Sequence, residues 1–104
     1  MQFNERDDGH EIEVATGQTF EVSLTENRTA GFVWNIKCGG EPVCRVVKDW
    51  FEESSAMPGK SGIHRWQFKV DAPGTATIEL VYQRPWQDKS APARIYTLRI
   101  RAGG

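Results

Sequence analysis

Apolar and polar side chains alternate along most of this chain, at the period of two that turns one face of a β-strand toward a core. Ile12 and Val14 alternate with Glu11 and Glu13, and Phe20, Val22 and Leu24 with Glu21 and Ser23. The same rhythm returns in Phe32, Trp34 and Ile36, in Trp66, Phe68 and Val70, in Ala76, Ile78, Leu80 and Tyr82, and in Tyr96, Leu98 and Ile100. Cys44 to Val47 reads as one short strand more. The breakers fall between these runs: Gly17-Gln18, Cys38-Gly39-Gly40-Glu41-Pro42, Asp71-Ala72-Pro73-Gly74 and the long irregular stretch from Asp49 to Gly62. No segment carries a helical period. The spacing predicts about seven strands, near 11–15, 18–25, 32–38, 43–48, 63–71, 74–83 and 93–101, which is the pattern of an all-β, immunoglobulin-like β-sandwich.

That architecture has a consequence for the loops, because alternate connections of a sandwich fall at the same end. The connections 26–31, 49–62 and 84–92 follow the second, fourth and sixth strands and are expected to cluster. The tight turns at 16–17, 39–42 and 72–73 are expected at the other end. Three long loops on a stiff scaffold make a natural binding end.

Length and charge narrow the picture. At 104 residues, with no repeat, linker or low-complexity tract, the chain is expected to form a single domain over 1–104. A formal net charge of -1 offers no basic excess for nucleic acid and no charge block for a membrane surface. No apolar run is long enough to span a bilayer. Met1 to Asp8 is polar and acidic and lacks the positive and apolar regions of a signal peptide.

Catalytic chemistry finds no foothold. His10 and His64 stand in separate contexts, without the spaced cysteines or carboxylates of a metal site, and each reads as a solvated strand residue. The acidic pairs Asp7-Asp8 and Glu52-Glu53 point apart along extended backbone. No glycine-rich phosphate loop is present, and neither a metal nor a cofactor is expected. Cys38 and Cys44 flank a turn, and two readings stand: a disulfide, worth ~2–3 kcal/mol over so short a loop, or two small buried apolar residues. The disulfide is the one carried forward; with it would go a secreted or periplasmic location. Asn27-Arg28-Thr29 fits a glycosylation triplet, a pattern common by chance.

The loops themselves are more informative. In Glu26-Asn27-Arg28-Thr29-Ala30-Gly31-Phe32, Asn27 and Gly31 can take positive φ, and the small crest Thr29-Ala30-Gly31 suits a narrow groove. Gly59-Lys60-Ser61-Gly62 lets backbone lie flat against a partner. Gln83-Arg84-Pro85-Trp86 ends a strand, since proline cannot donate to a ladder, and leaves an indole at a loop tip. There Trp86 either anchors an interface or folds back to cap the core.

Taken together, these loops resemble the chagasin-type inhibitors of papain-like cysteine peptidases. That family carries three motifs in order: roughly Asn-Pro-Thr-Thr-Gly-aromatic with a tryptophan two places on, then Gly-x-Gly-Gly leading into a strand with an aromatic, then Arg-Pro-Trp. Here they stand as Asn27-Arg28-Thr29-Ala30-Gly31-Phe32 with Trp34, as Gly59-Lys60-Ser61-Gly62 leading to Trp66, and as Arg84-Pro85-Trp86 after Tyr82. Arg28, Ala30 and Ser61 depart from the pattern, and Cys38 and Cys44 lie outside it. The resemblance covers residues 11–101. It implies a reversible, tight-binding inhibitor rather than an enzyme. Three loops at one end would block the catalytic cleft of papain-like, cathepsin L-like peptidases, with a monomer as the simplest form of such a plug. The alternative from another class is an immunoglobulin-like adhesion or ligand-binding module, whose loops would more often carry carboxylates and amides beside their aromatics.

Overall fold

The computed structural model describes residues 1–28, 31–53, 62–86 and 92–103. Of the residues singled out above, Thr29, Ala30, Gly59, Lys60 and Ser61 lie outside the described residues. Eight strands form two four-stranded sheets. They are β1 (Gln2–Phe3), β2 (Glu11–Ala15), β3 (Thr19–Glu26), β4 (Val33–Gly39), β5 (Cys44–Glu53), β6 (Gly62–Val70), β7 (Gly74–Gln83) and β8 (Arg94–Gly103). One sheet has the order β1-β3-β6-β5 and the other β2-β8-β7-β4. The alternating apolar residues of both inner faces build the core. Phe20, Val22, Leu24, Trp66, Phe68 and Val70 come from the first sheet, and Ile78, Leu80, Tyr96, Leu98 and Ile100 from the second. All are almost fully buried, as the period-two pattern requires.

Two elements differ from the sequence expectation. The first is β5, which runs ten residues to Glu53 rather than stopping near 48. Its pairing with β6 slips between Val46 and Lys48. A bulge of this kind adds one residue to one strand and reverses which side chains face inward beyond it. Asp49 and Phe51 therefore occupy positions the unbroken alternation would give to Lys48 and Trp50. A strand whose inward positions include an aspartate does not look like one in the sequence. The second is the N-terminus. Gln2–Phe3 adds a short parallel strand beside β3, Phe3 packs edge-on against Phe20 at 6.0 Å, and Asn4 caps a 3-10 turn over Glu5–Asp7.

The disulfide expectation is corrected. Cys38 and Cys44 are both free, Cys38 exposed and Cys44 buried. Cys38 follows a slip in the β4–β7 register and turns outward opposite Glu79, whereas Cys44 points into the core beneath Gly40. Cys38 faces solvent on a strand of one sheet and Cys44 is buried on a strand of the other, and side chains so directed do not meet in a bridge.

The loop parity holds. In the first sheet Glu26 and Glu53 are both in register with Gly62; in the second Val33 is opposite Gln83, and Tyr82 opposite Arg94. The ends of the strands flanking 27–32, 54–61 and 84–93 thus lie together in each sheet. The sheets are tied at that end by the Asn27 N–H donating to the Tyr82 hydroxyl at 2.7 Å. At the other end Gly17 N–H donates to the Val70 carbonyl and Asp71 N–H to the Val43 carbonyl, each at 2.8 Å, gathering the short turns.

Candidate functional site

The binding end is built on an acid in an apolar place. The alternation Phe20, Val22, Leu24 puts residue 26 on the inner face of β3, and Glu26 is there with no exposed surface. A buried carboxylate persists only when its lone pairs are filled. Glu26 accepts from Arg28 Nε, from the Trp34 N–H at 2.8 Å, and faces His64 Nδ1 at 2.9 Å. Burial pushes its carboxyl up, but Arg28, the Trp34 amide and His64 together outweigh that and hold it below the usual carboxylate range.

His64 is not the solvated strand residue that its isolated place in the sequence suggests. It is buried, its ring stacks on Trp66 at 3.9 Å, and its Nε2 faces Asp49 Oδ2 at 2.8 Å. The β5 bulge explains Asp49's presence there. Sequence reasoning missed Glu26, His64, Asp49 and Phe51. The usable signal was parity: Glu26 follows Leu24 by two, and His64 precedes Trp66 by two.

From Glu26 the first loop rises. Arg28 turns its guanidinium back onto Glu26 and lays it over the Phe51 ring, 4.0 Å from the centroid. Gly31 closes a turn by donating its N–H to the Arg28 carbonyl at 2.9 Å, with φ at +85°. Asn27, by contrast, does not adopt positive φ. Phe32 stacks on Tyr82 at 5.1 Å, and the Arg84 guanidinium covers Phe32 at 4.5 Å. Tyr82 in turn packs against Trp34 at 4.7 Å, whose indole N–H donates to the Thr25 carbonyl at 2.9 Å.

Gly31 and Trp86 meet directly. A Cβ on Gly31 would stand 2.5 Å from Trp86 Cη2, so the indole lies flush on bare backbone. Of the two readings of Trp86, capping the core fails: the side chain touches the first loop and remains 72% exposed. Pro85 is exposed beside it. The second loop is represented by Gly62, whose backbone presses on the Phe51 ring and the Glu52 carbonyl with no room for a Cβ. Among the described residues, then, Asn27, Arg28, Gly31, Phe32, Arg84, Pro85 and Trp86 form one contiguous surface, and Phe51 connects it to Gly62.

The profile of the Chagasin family peptidase inhibitor I42 matches residues 13–100, most of the chain. The chain belongs to the chagasin family. Chagasin of Trypanosoma cruzi is 30% identical over 99 residues, spanning 90% of each chain. A crystal structure of a cysteine protease inhibitor from Entamoeba histolytica superposes with a TM-score of 0.85 over 98% of this chain and 93% of that one, at 24% identity. The fold is also that of PbICP-C, solved in complex with falcipain-2, with a TM-score of 0.62 over 99% of this chain and 90% of that one at 16% identity. The chain is accordingly a cysteine peptidase inhibitor of immunoglobulin-like sandwich fold, and its family is one of inhibitors rather than enzymes. The adhesion-module alternative falls with that assignment.

Proposed function

We propose that this chagasin-family inhibitor acts as a monomer on papain-like peptidases of the cathepsin L type, seating its three-loop end in the catalytic cleft. The crest Thr29-Ala30-Gly31, flanked by Asn27, Arg28 and Phe32, enters the cleft. Gly59, Lys60, Ser61 and Gly62 line one side, and Arg84, Pro85 and Trp86 the other. The observation that carries this reading is the seat of Trp86: an indole held against Gly31 and left 72% exposed is an anchor waiting for a pocket. The occurrence of the same fold in complex with falcipain-2 supports a cysteine peptidase as the partner.

The mechanism needs no covalent step. The described residues at the foot of the wedge are fixed before binding, by Glu26 below them and the Tyr82-Phe32-Arg84 stack beside them, which lowers the conformational entropy lost on association. Arg84, stiffened against Phe32, places a planar cation beside Trp86 that suits an acidic or aromatic rim. Occupying the cleft makes inhibition competitive with substrate and reversible on dilution. Papain and cathepsin L titrated with the purified protein test this. The expected result is an apparent inhibition constant that rises linearly with substrate concentration. No inhibition at micromolar protein would overturn it.

A further inference from the structure

A polypeptide crest seated beside a peptidase nucleophile is chemically a substrate, and something in the inhibitor must prevent the cut. Cleavage requires a backbone that extends along the cleft and brings a carbonyl carbon into line with the attacking sulfur. The described residues on both legs of the crest oppose that extension. On the ascending leg, Arg28 is held at three points. Its carbonyl accepts from the Gly31 N–H, its Nε donates to Glu26, and its guanidinium face lies on Phe51. On the descending leg, Trp34 N–H donates to the other oxygen of the same carboxylate. One fully buried side chain therefore fixes both legs, and it is itself set in β3 opposite Gly62. The guanidinium is only half-buried, so Arg28 stands between this buried support and solvent at the foot of the crest.

We infer that Arg28 is a positioning residue: the Glu26–Arg28–Phe51 lock holds Arg28 and Gly31 together at the foot of the crest, and this clamp, rather than contact of Arg28 with the peptidase, makes the crest an inhibitor instead of a substrate. Through Phe51 the lock also reaches the start of β6, coupling the first loop to the second. The inference rests on the cleft-seating mode proposed above.

The test is prolonged incubation of the intact protein with a catalytic amount of active papain, followed by mass spectrometry and by inhibition measured against time. Four variants are compared: Arg28→Ala, Arg28→Lys, Phe51→Leu and the double variant Arg28→Ala with Phe51→Leu. The natural chain should stay whole. Arg28→Ala should inhibit about tenfold less at first, lose inhibition with time, and be cut between residues 27 and 33. Phe51→Leu should show the same pattern more weakly. The double variant should be little worse than Arg28→Ala alone, because both changes open one lock. Arg28→Lys keeps the charge on Glu26 but lacks the planar fork, and should be cut more slowly than Arg28→Ala. Should Arg28→Ala unfold, as cuts scattered through the strands would show, Arg28→Lys decides the matter by its crest cuts. Variants that stay whole, with effects that add, would overturn the lock and assign Arg28 to direct contact. A natural chain that does not inhibit at all would instead remove the functional reading on which the lock rests.

Discussion

At the scale of single residues, the binding end depends on a few side chains whose energetics can be separated. Trp86→Ala should weaken inhibition by ~2 kcal/mol or more with little change in thermal midpoint, since its indole is mostly exposed in the free protein. Inhibition constants and melting curves measured side by side check this. Gly31 behaves differently, because its φ of +85° and its contact with Trp86 make it a backbone device as well as part of the crest. Gly31→Ala should cost ~1 kcal/mol of stability through backbone strain alone, and should displace the indole and lower affinity too. Glu26 carries a pH signature. Its folded-state carboxyl lies below the ordinary value of 4.5, so its ionised form is favoured by folding. The stability it confers is full above that ordinary value and declines as pH falls through the lower folded one. Glu26→Gln should therefore cost ~2–4 kcal/mol near neutral pH, and the gap in thermal midpoint should narrow only below about pH 4.5. A gap that narrowed between pH 7 and 5 would contradict the assignment. The sequence shows the crest, since Gly31, Pro85 and Trp86 declare their constraints by residue type. It hides the support, since Glu26, His64 and Asp49 look like ordinary polar residues until the fold brings their atoms together.

At the scale of elements, the strands with unbroken alternation were legible and those with a register slip were not. β3, β6, β7 and β8 bury alternate residues almost without exception, so their apolar rhythm is visible in the chain. β5 was half hidden because its bulge turns Asp49 and Phe51 to the face of Trp66 and His64, and neither the slip nor its partner strand can be read from local sequence. The β4–β5 connection, which crosses from one sheet to the other, misled in another way. Two cysteines near a turn suggest a bridge by spacing, but side-chain direction decides, and the β4 slip turns Cys38 outward. Burial pushes the Cys44 thiol up to about 11, with Asp71 and Glu41 adding to the shift. Under native conditions near neutral pH, an alkylating reagent should label Cys38 within minutes and Cys44 only after unfolding. Mass spectrometry of the native protein, finding either a bridge or two equally fast thiols, would contradict this arrangement.

At the scale of the whole molecule, topology supplies what no motif can. Asn27, Gly62 and Trp86 are far apart in the chain, yet the register of the two sheets brings the strand ends that carry them to one side. That convergence could be anticipated from loop parity in a seven-strand sandwich. The contacts that harden it, Gly31 on Trp86 and Arg28 on Phe51, could not, because each joins residues of non-consecutive strands or loops at one end of a sheet, and local sequence does not show which strands are neighbours. Hydrogen exchange of the inhibitor, free and bound to papain, measures this convergence most directly. Amide protection gained on binding should fall together on 27–32, 59–62 and 84–86 and leave the turns at 16–18, 40–43 and 71–74 unchanged. Protection gained at those turns, or at only one of the three loops, would contradict a three-loop wedge.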